Sequence, residues 1–188
     1  MRGRDVDGAA EATIREYGRE IQGFLIAVLR NETEADEVFS LWCEDLWRGL
    51  DGFGWASSLR TWLYVLARHA MARHRRGIRG MLLTLEGNSI IERAAAEVRT
   101  PTRSYLHSAV KNLFTELRRS LPEEDQVLLV LRIDRGLEWQ DIARAMLDEP
   151  DPDDQTLRRE AARLRKRLER LRADLVAAGR KAGLIKPD

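Results

Sequence analysis

The sequence is poor in the residues that build covalently or metal-held folds. One cysteine, Cys43, stands among 188 residues, which excludes a disulfide framework and a thiolate metal cluster. Three histidines, at 69, 74 and 107, show no HExxH-like pairing, so no metal and no metalloenzyme is expected. Long apolar runs are missing too. The longest, Phe24 to Leu29, falls far short of the roughly 18 residues that a membrane span needs. No charged-then-apolar signal segment opens the chain, so a cytoplasmic location is expected. Nucleophile–base pairs, paired-carboxylate clefts, P-loops and dinucleotide fingerprints are absent, so no catalytic residue, no cofactor and no enzyme is expected. Aromatics make up 6% of the chain, with 13 glycines and 5 prolines. What remains is 44% hydrophobic and 34% charged, the composition of an ordinary soluble protein of one or two small domains.

Net charge is +1, well short of the strongly basic balance of many nucleic-acid-binding domains, yet the charges are sorted into blocks. From Leu59 to Gly80 there are six arginines and no acid, and from Leu157 to Arg172 eight basic residues face Glu160 and Glu169. Against these stand an acidic stretch from Glu32 to Asp51 and the cluster Asp148, Glu149, Asp151, Asp153 and Asp154. The neutral total is the sum of two basic and two acidic surfaces.

Apolar spacing is helical nearly throughout, which predicts an all-α protein. Ile21, Phe24, Leu25, Val28 and Leu29 form one stripe. Val38, Leu41, Trp42, Leu46 and Leu50 form a second, introduced by Thr33 with Asp36 three residues on, close to a capping box, and ended by Gly52 and Gly54. Ser57 or Ser58 caps a third helix with the stripe Leu59, Trp62, Leu63, Leu66 and Ala70. Residues 81–104 read as a linker, punctuated by Gly87 and Pro101, with a short helical piece near Ile90 to Val98. A second domain begins with the stripe Leu106, Val110, Leu113, Phe114 and Leu117. A helix over Glu123 to Arg135 follows Pro122 and stops at Gly136. Then come a short helix over Glu138 to Leu147 with Ile142, Ala143 and Met146 inward, an acidic loop, and a long helix capped by Asp153 or Asp154. Its apolar positions are 157, 161, 164, 168, 171 and 175.

Two constellations carry function. Helix, short loop and helix from 123 onward, ending in the helix that starts Thr156, Leu157, Arg158 and Arg159, suit a helix-turn-helix, whose second helix meets base edges while flanking cations hold phosphates. The same spacing fits a solvated basic helix or a coiled coil. The loop 52–58, with Phe53 and Trp55, leads into a helix bearing Arg60 and Arg68. Aromatics beside arginines suit stacking on unpaired bases with a grip on phosphates. Trp62, on the apolar stripe, reads as core; Trp55 stays open between staple and stacking platform.

The run Glu34, Ala35, Asp36, Glu37, Val38 through Leu46, Trp47, Leu50, Asp51, Gly52 and Phe53, then Ser58 to Arg68, resembles region 2 of the bacterial sigma-70 family. Leu121 to Glu124, followed by Gly136 to Ala143, resembles its region 4. With a short linker between them, the chain resembles the compact extracytoplasmic-function group over roughly residues 15 to 175. The resemblance implies an N-terminal tail over 1–14, a region 2-like domain over 15–80, the linker over 81–104, a region 4-like helix-turn-helix domain over 105–178 and a tail over 179–188. It implies core RNA polymerase and promoter DNA as partners, and an anti-sigma protein as a possible third. Asp36, Glu37 and Ser40 match the docking surface for core polymerase. Trp55, Ser57 and Ser58 match the loop that captures a flipped base of the minus-ten element. Arg60, Thr61, Trp62, Tyr64, Arg68 and Arg76 match the helix that grips the opened strand. Thr156, Arg158, Arg159, Arg163, Lys166 and Arg167 match the helix placed at the minus-thirty-five element. The chain departs from the usual pattern at Ser40, His69, Arg73 and Glu160, and its helix-turn-helix loop is longer and more acidic. A free helix-turn-helix regulator and a coiled-coil interaction protein remain the competing readings.

Overall fold

The computed structural model describes residues 5–77, 89–99, 120–149 and 151–181. All regular elements among them are helices, and the chain divides into two compact units, Met1–Pro101 and Thr102–Asp188.

The first unit contains α1 (Val6–Leu29), α2 (Glu32–Gly49), a 3-10 turn (Leu50–Gly52), α3 (Leu59–Arg75) and α4 (Ser89–Arg99). Each start has a chemical cause. Asp5 accepts from the Gly8 amide at 2.8 Å, Asn31 from the Glu34 amide at 3.2 Å and Ser58 from the Thr61 amide at 3.1 Å, satisfying donors that a helix start leaves open. The cap of α2 is therefore Asn31, two residues before the Thr33 suggested by the sequence pattern. Between Ser57 and Ser58, the second is the cap of α3. Helix α1 begins at Val6, so most of the expected N-terminal tail is helix.

The core is aromatic at its centre. Phe24, Phe39, Trp42, Leu46, Leu63, Tyr64 and Met71 are all essentially inaccessible. Phe24 meets Tyr64 edge-on at 5.3 Å between ring centroids, and Trp42 stacks on Phe39 at 5.2 Å. The Trp42 indole N–H donates to the Leu63 carbonyl at 3.1 Å, giving a buried polar atom its partner and tying α2 to α3. Helix α4 packs on α1 and α2 and buries Ile91, Ala94 and Ala95. Residues 89–99, read from the sequence as part of a linker, thus contribute to this core. Gly18 is what lets α1 approach: a Cβ there would meet Val98 Cγ2 at 2.6 Å.

The second unit contains α5 (Glu123–Leu129), continued by a π turn (Val130–Asp134), α6 (Trp139–Met146) and α7 (Asp154–Lys181). The expected single helix over 123–135 is thus an α-helix that widens in its last turn. Gly136, at φ +67°, then takes a left-handed conformation that costs any other residue, and the Leu137 amide returns to the Leu131 carbonyl at 3.0 Å. Asp153 accepts from the Thr156 amide at 2.7 Å and starts α7. Leu157, Ala161, Leu164, Leu168 and Leu171 are buried, and α7 packs on α5 and α6. The stripe that a coiled coil would need is therefore already covered within the folded chain. Met146, expected inward, is half-buried. The stripe expected over 106–117 and the remainder of the linker lie outside the described residues.

Candidate nucleic-acid interface

In the first unit the loop before α3 builds an aromatic ladder. Phe53 lies 4.8 Å from Trp62 and 4.8 Å from Trp55. Trp62, expected in the core, is half-buried against this ladder. Trp55 is 76% exposed and sits at φ +59°, a left-handed conformation costing about 1–2 kcal/mol for a residue with a Cβ. A large apolar ring held outward on a strained backbone is the arrangement expected of a stacking platform, and backbone strain of this kind concentrates at functional sites.

From that ladder α3 runs outward. Trp62, Val65, His69, Ala72 and Arg76 follow three-and-four spacing on the side away from the core, with Arg68 beside them, and this stripe holds no acid. The remaining sequence-predicted residues here are tied inward. Ser57 Oγ donates to the Ser58 carbonyl at 3.3 Å. Ser58 and Thr61 share a hydroxyl contact of 2.8 Å at the cap, and Thr61 is buried. Tyr64 is fully buried apart from its function as a donor to Glu20 Oε1 at 2.6 Å. Arg60 Nε donates to the same oxygen at 2.8 Å. That hydrogen bond, against the opposing effect of partial burial, raises the Arg60 pKa above its ordinary value and keeps the guanidinium charged.

On the α2 side, Arg73 reaches Asp45 at 2.8 Å, the Leu41 carbonyl at 3.0 Å and, at 3.7 Å, Glu44, whose side chain is fully buried. Arg48 meets Glu44 at 2.7 Å. Burial pushes the Asp45 carboxyl above its usual range against the opposing pull of Arg73. The extra positive charge that Arg73 brings to α3 is thus neutralised from α2.

Asp36, Glu37 and Ser40 lie half-buried within one turn of α2. Gln22 of α1 donates to Asp36 Oδ1 at 2.5 Å, and Ser40 Oγ donates to the Asp36 carbonyl at 2.9 Å. His74 approaches Glu37 at 3.8 Å and Glu34 at 3.6 Å. The acids are braced from α1 and α3 rather than swinging freely.

In the second unit Arg158, Arg159, Arg163 and Lys166 are exposed, while Thr156 and Arg167 are half-buried. Arg167 Nε donates to Asp125 of α5 at 2.5 Å, and Arg163 lies 3.4 Å from Glu160. Backbone hydrogen bonding from Thr156, the leading cause, holds the Asp153 carboxyl below its ordinary range. Sequence reasoning missed Glu20, Asp125, Trp139 and Arg165. Trp139 opens α6, and the guanidiniums of Arg132 and Arg165 lie over its ring at 4.9 Å and 5.3 Å from the centroid. Glu20 is 40 residues from Arg60 and Asp125 is 42 from Arg167, pairings that no local pattern announces.

Among the described residues no group of three or more His, Cys, Asp or Glu is arranged to hold a metal ion, and no helix is long and apolar enough to cross a membrane.

Residues 13–80 match the family described as Sigma-70 region 2. The chain is 28% identical over 145 residues to the RNA polymerase sigma-H factor of Pseudomonas aeruginosa, covering 73% of this chain and 75% of that protein. That share is longer than either unit, so the similarity takes in residues of both. No solved structure matches the chain. Over residues 13–80, which include most of α1 and all of α2 and α3, the chain is thus similar to sigma-70 region 2.

Proposed function

We propose that the chain is an RNA polymerase sigma factor of the compact extracytoplasmic-function group, acting in the cytoplasm. On this reading it binds core polymerase through Asp36, Glu37 and Ser40 and opens promoter DNA with the loop before α3 and the outward face of that helix. It reads the minus-thirty-five element with α7. The observation that carries the reading is Trp55, 76% exposed and at φ +59° at the head of an acid-free basic helix. An unpaired base stacks on the indole while Arg68 and Arg76 hold the strand's phosphates. Thr61 and Tyr64, buried as they are, serve by positioning: Thr61 fixes the start of α3, and Tyr64 with Arg60 anchors that helix to Glu20. An anti-sigma protein is a further expected partner on family grounds.

The experiment is charge reversal on α2. Asp36→Lys with Glu37→Lys in the 188-residue chain abolishes binding to core polymerase on this reading and leaves duplex DNA binding by the second unit intact. A free helix-turn-helix regulator would show no core binding to lose. Retention of full core affinity by the double variant would refute the docking assignment.

A further inference from the structure

Behind the acidic face of α2 stands one imidazole from α3. The two ring nitrogens of His74 each face a carboxylate: Nε2 lies 3.6 Å from Glu34 Oε1 and Nδ1 lies 3.8 Å from Glu37 Oε2. Those acids are three residues apart on α2, neighbours on its surface, so one ring spans both. The His74 side chain is 14% exposed, against 33% for Glu34 and 43% for Glu37. The acids thus form the outer layer and the ring their backing. Helix α1, which also packs on α3, brings no charged partner to the ring among the described residues. The like charges beside it in sequence are Arg73, Arg75 and Arg76 of α3 itself, and Arg73 is engaged by Glu44 and Asp45.

The number of protons on this ring decides what it can do. A neutral imidazole has one N–H and one lone pair. With a carboxylate at each nitrogen, it donates to one and turns its lone pair on the other. The imidazolium has two N–H donors and a positive charge, so it serves both acids at once, through stronger charge-assisted bonds. Imidazole is also the side chain whose charge ordinarily changes between about pH 5 and 8. Closing this clasp adds a positive charge behind Glu34, Asp36 and Glu37 and turns two acceptors inward. An acidic face that docks on cations of a partner loses attraction on both counts.

We infer that His74 makes the docking of this chain on core polymerase sensitive to protons: the neutral ring leaves Glu37 to the partner, and the protonated ring clasps Glu34 and Glu37 and weakens docking. The inference rests on the reading of Asp36, Glu37 and Ser40 as the docking surface and adds to it a positioning residue from α3. His74 acts through the acids and does not itself touch the partner. Because such coupling is reciprocal, bound core polymerase in turn favours the neutral ring.

The test measures the affinity of the 188-residue chain for core polymerase between about pH 8 and about pH 6. Wild-type affinity is expected to fall about fivefold on acidification, the low end for coupling between two sites. His74→Gln, which takes up no proton, removes that fall and leaves only what core polymerase's own groups contribute. His74→Arg, a permanent cation, binds about fivefold more weakly than wild type already at the alkaline end. Glu34→Gln removes one arm of the clasp and shrinks the fall. It changes a side chain outside the docking set, so it reports on the clasp even if His74→Gln impairs folding, which thermal melting detects. A pH profile left at its wild-type shape by His74→Gln, or by Glu34→Gln where the first variant does not fold, overturns the inference. That outcome leaves the docking reading standing if Asp36→Lys with Glu37→Lys still abolishes core binding. Full core affinity in that double variant overturns both.

Discussion

In the first unit two arginines of α3 are answered by carboxylates from other helices, Arg60 by Glu20 of α1 and Arg73 by Glu44 and Asp45 of α2. On α7 of the second unit, Arg158, Arg165 and Lys166 are exposed and have no ion pair among the described residues. The same residue type is therefore structural where it crosses between helices and available to a ligand where it lines an edge. Counting arginines in a block cannot tell these uses apart. The difference lies in whether a neighbouring helix brings an acid within reach.

The strongest way to break this comparison is to truncate one arginine of each kind. Arg73→Ala removes a partner of Glu44, whose side chain is fully buried. It is expected to cost about 3 kcal/mol by denaturant titration, the low end for breaking a buried pair because Arg48 remains. Arg165→Ala is expected to stay within about 0.5 kcal/mol, as for exposed positions generally. Equal losses would show that the two units do not differ in this respect.

Glu20→Gln sharpens the same point within α3. It weakens the charge-assisted bonds to Arg60 and Tyr64 and should cost about 1 kcal/mol. It also frees Arg60 for phosphates, so single-stranded DNA binding should become steeper in salt even as stability falls. A loss of both would mean that Arg60 contributes only through its anchoring of α3. In the second unit, Gly136→Ala should also cost about 1 kcal/mol through its left-handed backbone alone, since a Cβ there meets nothing within 4 Å. A neutral result in thermal melting would remove the strain argument.

Acid separates the units most finely. The Asp153 carboxyl is lowered, so its contribution is present above the unfolded-state value and lost as pH falls through the depressed one. Asp45 is raised, so its contribution is present at low pH and lost as pH rises through the elevated value. Asp153→Ala should flatten the acid loss of α7 helicity followed by circular dichroism, whereas Asp45→Asn should remove a stability gain on mild acidification. Matching pH slopes for the two variants would contradict the assigned directions.

The helices were legible because their stripes are: 157, 161, 164, 168 and 171 read from spacing as one face and are buried. Cap choice was less so, because Asn31 and Thr33 are both good capping residues, and the structure has Asn31 accepting from the Glu34 amide. The Val130–Asp134 π turn leaves no periodic trace. At the site, Trp55 was legible as an aromatic in a glycine-rich loop, but its left-handed backbone was not. Tyr64 and Arg60 read as strand-gripping residues through the resemblance to sigma-70 region 2. Their anchorage to Glu20 depends on contacts between distant segments, which a one-dimensional pattern does not encode.

The most direct measurement of the account is transcription in vitro by core polymerase over a library of native promoter fragments, with and without the purified chain. A sigma factor gives specific transcripts that appear only when the chain is present, together with a stable complex with core enzyme. No specific transcript and no such complex would contradict it.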